Sequence, residues 1–309
     1  MADRLVVELR NRDTSCLRFH TDGIASDSTA TMLFERGKVS RFLNLAGQSA
    51  AIGQIRSVWN RQQQPLRFPD SLSSDECEFS RNEITSLLSG FVRIADWFWV
   101  NQPDHNRYAS HKPLQLQRAQ RIGFDIPRTL ISNDPNAVLD FARSCPNGLI
   151  YKTLYSPLFP GSEGLACFTS LVTDEHLRSI TTIRHTGGIF QEYVPKKFEL
   201  RITLIGKRIF AVEIHSQDIA EMQVDWRVSD ARKLTHQMHD LPATIDAKCR
   251  KFAEEFSLAY AAIDMIVTPD GRYVFLECNP SGQYGWVEDM TGAPMTAAMA
   301  DMLAAGKVG

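Results

Sequence analysis

Apolar residues recur along this chain with two different periods, and the periods predict its elements. Between 75 and 101, Ile84, Leu87, Leu88, Phe91 and Ile94 fall at helical spacing and predict a long helix leading into the apolar stretch "WFWV". The same spacing predicts helices at about 111–122, stopped by Gly123, in "DPNAVLDFARSC" with Asp134 near its N-terminus, and at 244–258. A last helix, about 294–305, is expected to pack Met295, Ala298, Met299 and Met302. Short apolar runs predict strands at 4–9, 30–37, near Trp59, at 128–131 and at 148–154. Three more strands are expected within 188–217, punctuated by Pro195 and Gly206, and two at 260–267 and 273–279. The segment 218–240 is less regular, and no internal repeat or low-complexity stretch is evident. Strands and helices are mixed throughout, so the fold class is α/β (α+β), with residues 1–100 forming a small α/β lobe of their own.

The last two strands carry the first chemistry. They are joined by Pro269, Asp270 and Gly271, a turn in which Pro presets φ and Gly accepts a positive φ, so they read as a hairpin. Residues i and i+2 of a strand share a face, so Glu277 and Asn279 aim oxygens to one side. The hairpin sets Asp264 across from them. A strand end with a polar cap would explain Glu277 and Asn279 alone. A third oxygen donor beside them favours a hard cation such as Mg²⁺, because a buried acid pair is costly unless a cation neutralises it.

Composition narrows the partners. The chain has 309 residues, 43% of them hydrophobic, a formal net charge of −2 and a pI near 6.5. That balance gives no electrostatic footprint for nucleic acid. No apolar run reaches the length of a membrane span, and the N-terminus lacks a signal-peptide core. Six scattered cysteines, with no CxxC and no Cys–His zinc spacing, predict free thiols and a soluble, cytoplasmic protein.

Several elements can converge on a triphosphate. Lys152 is the lone cation in the apolar strand "LIYKTL", and reads either as a solvent-facing lysine or as a point charge aimed at phosphate. Lys112, opening the helix at 111–122, reads by itself as an ordinary surface lysine more than as a phosphate contact. The loop "SPLFPGSEG" can fold backbone N–H groups over phosphates, although neither GxxxxGK[ST] nor GxGxxG occurs anywhere. In "FQEYVPKKFELR", Gln191, Glu192, Tyr193 and Val194 can form a hinge that reads an adenine edge, and Glu199 can hold a ribose hydroxyl. Arg201 shares a face with Glu199, and the two also suit a ladder on an exposed sheet face.

The order of these elements resembles the ATP-grasp fold: strand lysine, glycine loop, "QEYV" hinge, "ELR", then Asp264 with Glu277-x-Asn279. More narrowly, "WVNQPDHNRYASHKPLQLQRAQRIGFDIPRTLISNDP", "FLECNPSGQYGWVEDMTGAPM", "SVWNR" and "VDWR" resemble the microviridin-type graspetide synthetases, ATP-grasp ligases that macrocyclise ribosomally made peptides. The likeness spans essentially the whole chain. It implies an N-terminal lobe at 1–110, a central lobe at 111–190 and a C-terminal lobe with the Mg²⁺ site at 191–309, with nucleotide between the last two. It implies that Lys112 and Lys152 contact ATP phosphates, that Gln191, Glu192, Tyr193 and Val194 lie at the adenine hinge, and that Glu199 meets the ribose. Asp264, Glu277 and Asn279 would hold two Mg²⁺. Arg201 would balance phosphoryl charge, and Arg227 of "VDWR" would help hold substrate carboxylates. Gln62 departs from the family, where a second basic residue is expected.

The resemblance further implies that Asp or Glu side chains of a precursor peptide are activated as acyl phosphates and closed into esters or amides. No protein nucleophile is needed. His215 and Asp225 are candidate bases, but nothing in the sequence puts either beside an acceptor. A leader segment of the peptide is expected to dock on 165–188 and 207–237, and the enzyme is expected to be a homodimer. A ligase for a free amino acid, resembling the glutamate ligases, would share every metal and ATP residue. A nucleotide-binding scaffold without turnover would have no need of the acids.

Overall fold

Leu5 and Leu9 lie one helical turn apart and both are buried, so the segment expected as a strand at 4–9 is instead the helix α1 (Ala2–Arg10). Asp3 in its first turn and Arg10 in its last match the helix dipole. Residues 1–45, 48–50, 52–61, 65–155 and 166–308 are described by the computed structural model. Two units are distinct: Met1–Gln102 with Thr296–Gly309, and Pro103–Met295.

In the first unit, β1 (Ser28–Glu35) and β2 (Lys38–Leu45) form a hairpin, and β3 (Gln48–Ala50) pairs with β2. Arg36 and Gly37 turn the hairpin with φ of 49° and 75°, the pair of positive values a tight two-residue turn requires. The strand near Trp59 is β4 (Ser57–Trp59). The long helix is α2 (Ser74–Arg93), started by a Ser73–Glu76 capping box. "WFWV" contributes β5 (Phe98–Val100), parallel to β4.

The second unit opens with α3 (Pro103–Ala109) and α4 (Lys112–Ile122), the latter ended by Gly123 at φ 95°. β6 (Thr129–Ser132), α5 (Pro135–Arg143), β7 (Leu149–Lys152), β8 (Ser170–Leu171), α6 (Asp174–Arg178) and β9 (Gly188–Glu192) follow. Their sheet has the order β6-β9-β7-β8. The chain passes through 190–191 inside β9, so the next sheet begins only after the hinge.

That sheet is antiparallel, built from β10 (Phe198–Ile205), β11 (Arg208–Ile214), β12 (His236–Met238), β13 (Tyr260–Val267) and β14 (Tyr273–Asn279) in the order β12-β11-β10-β13-β14. Four short 3-10 turns occupy 216–233. α7 (Ala243–Glu255) precedes β13, and α8 (Gly285–Thr291) follows β14. Leu200, Ile202 and Leu204 of β10 share one buried cluster with Cys249 and Phe252 of α7 and with Leu116 and Ala119 of α4. The cluster braces one face of the sheet and leaves the other for chemistry. The last helix, α9 (Met295–Ala305), buries Met295, Ala298, Met299 and Met302 as expected.

Candidate active site

Alternation along β10 decides what meets the open face. Leu200 and Ile202 point into the core, so Glu199, Arg201 and Thr203 point the other way. Arg201 pairs in register with Asp264 of β13, and Asp264 pairs with Glu277 of β14. Three charged residues are thus aligned across three strands. The β13–β14 register slips between Asp264 and Met265, a bulge at which Leu276 has no ladder partner. The bulge turns both Leu276 and Glu277 toward one cleft, which strict alternation would forbid.

The cleft has a volume of about 290 Å³. Lys152, Glu192, Tyr193, Val194, Glu199, Arg201, Arg227, Asp264, Glu277 and Asn279 all line it. Of the expected residues, Gln191 does not: its buried amide donates to Thr129 Oγ1 at 2.9 Å inside the first sheet. The N–H groups of Glu192 and Tyr193 donate to the carbonyls of Arg128 and Gly148. What the hinge can offer an adenine edge is therefore Val194 and its carbonyls. Lys112 lies in a small adjoining cavity with Lys152, Cys167 and Glu277. The glycine loop at 156–164 and Gln62 lie outside the described residues.

Charge is concentrated at one end. Arg201 Nη1 donates to both carboxylate oxygens of Asp264 at 2.8 Å. Gly282 makes room for this guanidinium, since a Cβ there would lie 2.6 Å from Arg201 Nη2. Lys112 Nζ stands 3.1 Å from Glu277 Oε2 and donates to the Thr153 carbonyl at 3.0 Å. Burial pushes the Asp264 carboxyl above its ordinary range, against the pull of Arg201 and with the push of Glu277. Burial also raises Glu277, but Lys112, Lys152 and Arg227 outweigh it and hold that carboxyl low. The Lys152 ammonium is pulled down to about 8, chiefly by burial. Arg227 grips Asp225 at 2.8 and 2.7 Å, and Asp225 also accepts from Thr169 N at 3.0 Å. Burial opposes this clamp, yet the clamp holds Asp225 at about 2. Asp225 is thereby committed to orienting Arg227, and His215 is hydrogen-bonded to Glu213 at 2.8 Å, so neither stands free as a base.

The other end carries fewer charges. Lys196, missed from sequence, donates to Glu199 Oε1 and to the Val224 carbonyl at 3.2 Å. The only signal for it was the pair of lysines after Pro195. Glu199 lines the cleft with Ser216 beside its carboxylate, an acceptor group that suits a donor such as a sugar hydroxyl. Trp226 and Trp286, also missed, pack at a tilt of 37° with centroids 5.0 Å apart on the cleft wall. The segment 207–237, expected as a leader surface, supplies part of this wall through Trp226 and Arg227.

Two carboxylates opposed across a ladder, one pushed up by its burial and its neighbour, are a donor set that a divalent cation relieves. The residues therefore fit Mg²⁺ at Asp264, Glu277 and Asn279, and the Glu199 end fits a nucleoside.

No family model and no curated protein matches the chain. Solved structures do. The macrocyclase MdnC of Microcystis aeruginosa MRC, bound with precursor peptide MdnA, matches with TM-score 0.86 and 33% identity, over 98% of this chain and 95% of that one. A ribosomal-peptide-associated ATP-grasp ligase of Chryseobacterium gregarium, in complex with ADP and a leader and core peptide, matches with TM-score 0.87 and 26% identity, over 97% and 92%. The fold is shared also by ATP-grasp ligase PsnB, complexed with minimal precursor, Mg and ADP, with TM-score 0.77 and 22% identity over 99% and 93%. With one third of its residues matched over almost its entire length, this chain belongs to the ATP-grasp ligases that macrocyclise ribosomally made peptides.

Proposed function

We propose that the chain is an ATP-dependent ligase that activates Asp or Glu side-chain carboxylates of a ribosomal precursor peptide and closes lactone or lactam crosslinks. The observation that carries this is the alignment of Arg201, Asp264 and Glu277 across three strands, with Lys112 and Lys152 beside them.

In this reading Val194 and the hinge carbonyls receive adenine, and Glu199 Oε2 accepts from the ribose. Gln191 anchors the hinge to β6 rather than touching nucleotide. Asp264, Glu277 and Asn279 would hold Mg²⁺, which would supply positive charge against the charge of the transferring phosphoryl group. Lys112 and Lys152 neutralise the phosphates. A substrate carboxylate oxygen attacks the γ-phosphorus, the bond to the β-phosphate oxygen breaks, and ADP leaves. Arg201 stabilises the transferring group. Arg227, fixed by Asp225, orients the peptide carboxylate. A hydroxyl or amine of the same peptide then attacks the acyl carbon and loses its proton, and phosphate leaves with the ester or amide formed.

The lobes at 111–190 and 191–309 enclose this chemistry, and the leader docks on 165–188 and 207–237. The enzyme works in the cytoplasm, where its free cysteines suit a reducing milieu, and as a homodimer, which sedimentation of the purified protein tests. The main test is to incubate the enzyme with ATP, Mg²⁺ and a short precursor peptide encoded beside it. Loss of one water per ring is expected. ATP consumed on a free amino acid with the peptide mass unchanged would overturn the reading.

A further inference from the structure

β14 is an edge strand, and an edge strand leaves backbone groups without a ladder partner. Two of those groups belong to Cys278, the residue between Glu277 and Asn279. Both are taken by one side chain from α4. Gln115 Oε1 accepts from Cys278 N at 2.8 Å, and Gln115 Nε2 donates to Cys278 O at 2.7 Å. The same Nε2 donates to Ala109 O at 2.6 Å, at the end of α3. Gln115 is 1% exposed, so its amide has been withdrawn from water and every bond it makes is to backbone.

We infer that Gln115 is a positioning residue for the magnesium ligands: its amide substitutes for a neighbouring strand and fixes Cys278, and so the directions of Glu277 and Asn279. A primary amide presents one acceptor and one donor side by side, the pattern a strand residue offers its neighbour. Lys112 lies one helical turn before Gln115 on the same helix and reaches the Glu277 carboxylate. α4 therefore holds β14 at two places, the backbone of Cys278 and the side chain of Glu277. Farther up the strand the same edge is covered differently, by Phe275 N donating to the Asp125 carbonyl at 2.8 Å. Among the described residues, only the part of β14 that carries the ligands is held by a side chain at this edge. The inference rests on the reading of Asp264, Glu277 and Asn279 as magnesium ligands.

The test is ADP binding by calorimetry, with Mg²⁺ and with EDTA, in the wild type, Gln115→Met and Glu277→Gln. Met keeps the length and loses both hydrogen-bonding functions. Outer partners of metal ligands typically contribute about 10–100-fold to metal affinity, so the gain in ADP affinity on adding Mg²⁺ should shrink by about tenfold or more in Gln115→Met. Its affinity in EDTA should stay at the wild-type value, a split that general loosening of the fold would not produce. If Gln115→Met does not fold, Gln115→Glu, which keeps an acceptor for Cys278 N, carries the test and should lose part of the Mg²⁺ gain. A full Mg²⁺ gain in the folded Gln115 variant, with that gain lost in Glu277→Gln, overturns the role of Gln115 alone. No Mg²⁺ gain in the wild type overturns the metal reading and this inference with it.

Discussion

β10 is buried along its whole length, yet its two faces are built on opposite rules. The rear face is Phe198, Leu200, Ile202 and Leu204, all in the apolar core. The other face carries Glu199, Arg201, Thr203 and Ile205, of which Glu199 and Arg201 line the cleft, and Arg201 Nε and Thr203 Oγ1 are buried with no partner. An unmet buried polar group costs about 1–3 kcal/mol. Apolar residues on both faces would make a more stable sheet. The difference separates what holds the strand in place from what the strand is for, because natural sequences break their own packing rules mainly where a ligand completes them.

The widest separation of the faces should come from Glu277→Gln or Asp264→Asn. Ring formation should fall by roughly 10³-fold or more, because a metal ligand acts on several kcal/mol of transition-state charge. Denaturant midpoints should fall far less than turnover does: Asn keeps an acceptor for Arg201 and Gln one for Lys112, although each cation loses its paired charge. A parallel fall in stability and turnover would break the comparison. Ile202→Ala on the rear face should do the reverse. It should cost about 2–5 kcal/mol in urea unfolding, with the folded fraction keeping its turnover number. Gly282→Ala tests the boundary between the two. Its Cβ would press on Arg201 Nη2 and on Ala262 Cβ 2.8 Å away, so about 1–3 kcal/mol of stability and part of the turnover should be lost together.

The same contrast governs what sequence could disclose. The hairpin carrying Asp264 and Glu277 was legible to the residue, because Pro269 to Gly271 is a local signal and Gly271 adopts φ 84°. The helix at 4–9 was read as a strand, because a short apolar run carries too little periodicity to choose between the two. Lys152 stood out as a lone charge in an apolar strand, whereas Glu199 and Arg201 suited an exposed ladder as well; the structure brings all five of Lys152, Glu199, Arg201, Asp264 and Glu277 to one cleft. Gln115 was invisible: its partner Cys278 lies 163 residues away, and an uncharged amide on a helix has no distinguishing pattern. The bulge at Leu276 was equally hidden, since it is a property of how two strands pair and not of either alone.

The finest cut falls within the cleft face itself, at Glu199. Its Oε1 is tied to Lys196, and Ser216 stands beside the same carboxylate. Burial pushes this carboxyl up while Lys196 restrains it, so a good part of its acceptor strength depends on that lysine. Glu199→Gln keeps the shape and weakens the acceptor from charged to neutral, a difference of about 1 kcal/mol in a hydrogen bond. The KM for ATP should rise by roughly five- to tenfold with kcat nearly unchanged, because a ribose contact is made equally in ground state and transition state. Deoxygenated nucleotides sharpen the test. A wild-type enzyme that prefers ATP to its 2′- or 3′-deoxy analogue should lose most of that preference in Glu199→Gln, as the contact is already weakened. An undiminished preference for ATP in the variant would mean that Oε2 faces something other than the sugar, and the nucleoside end of the cleft would have to be assigned elsewhere.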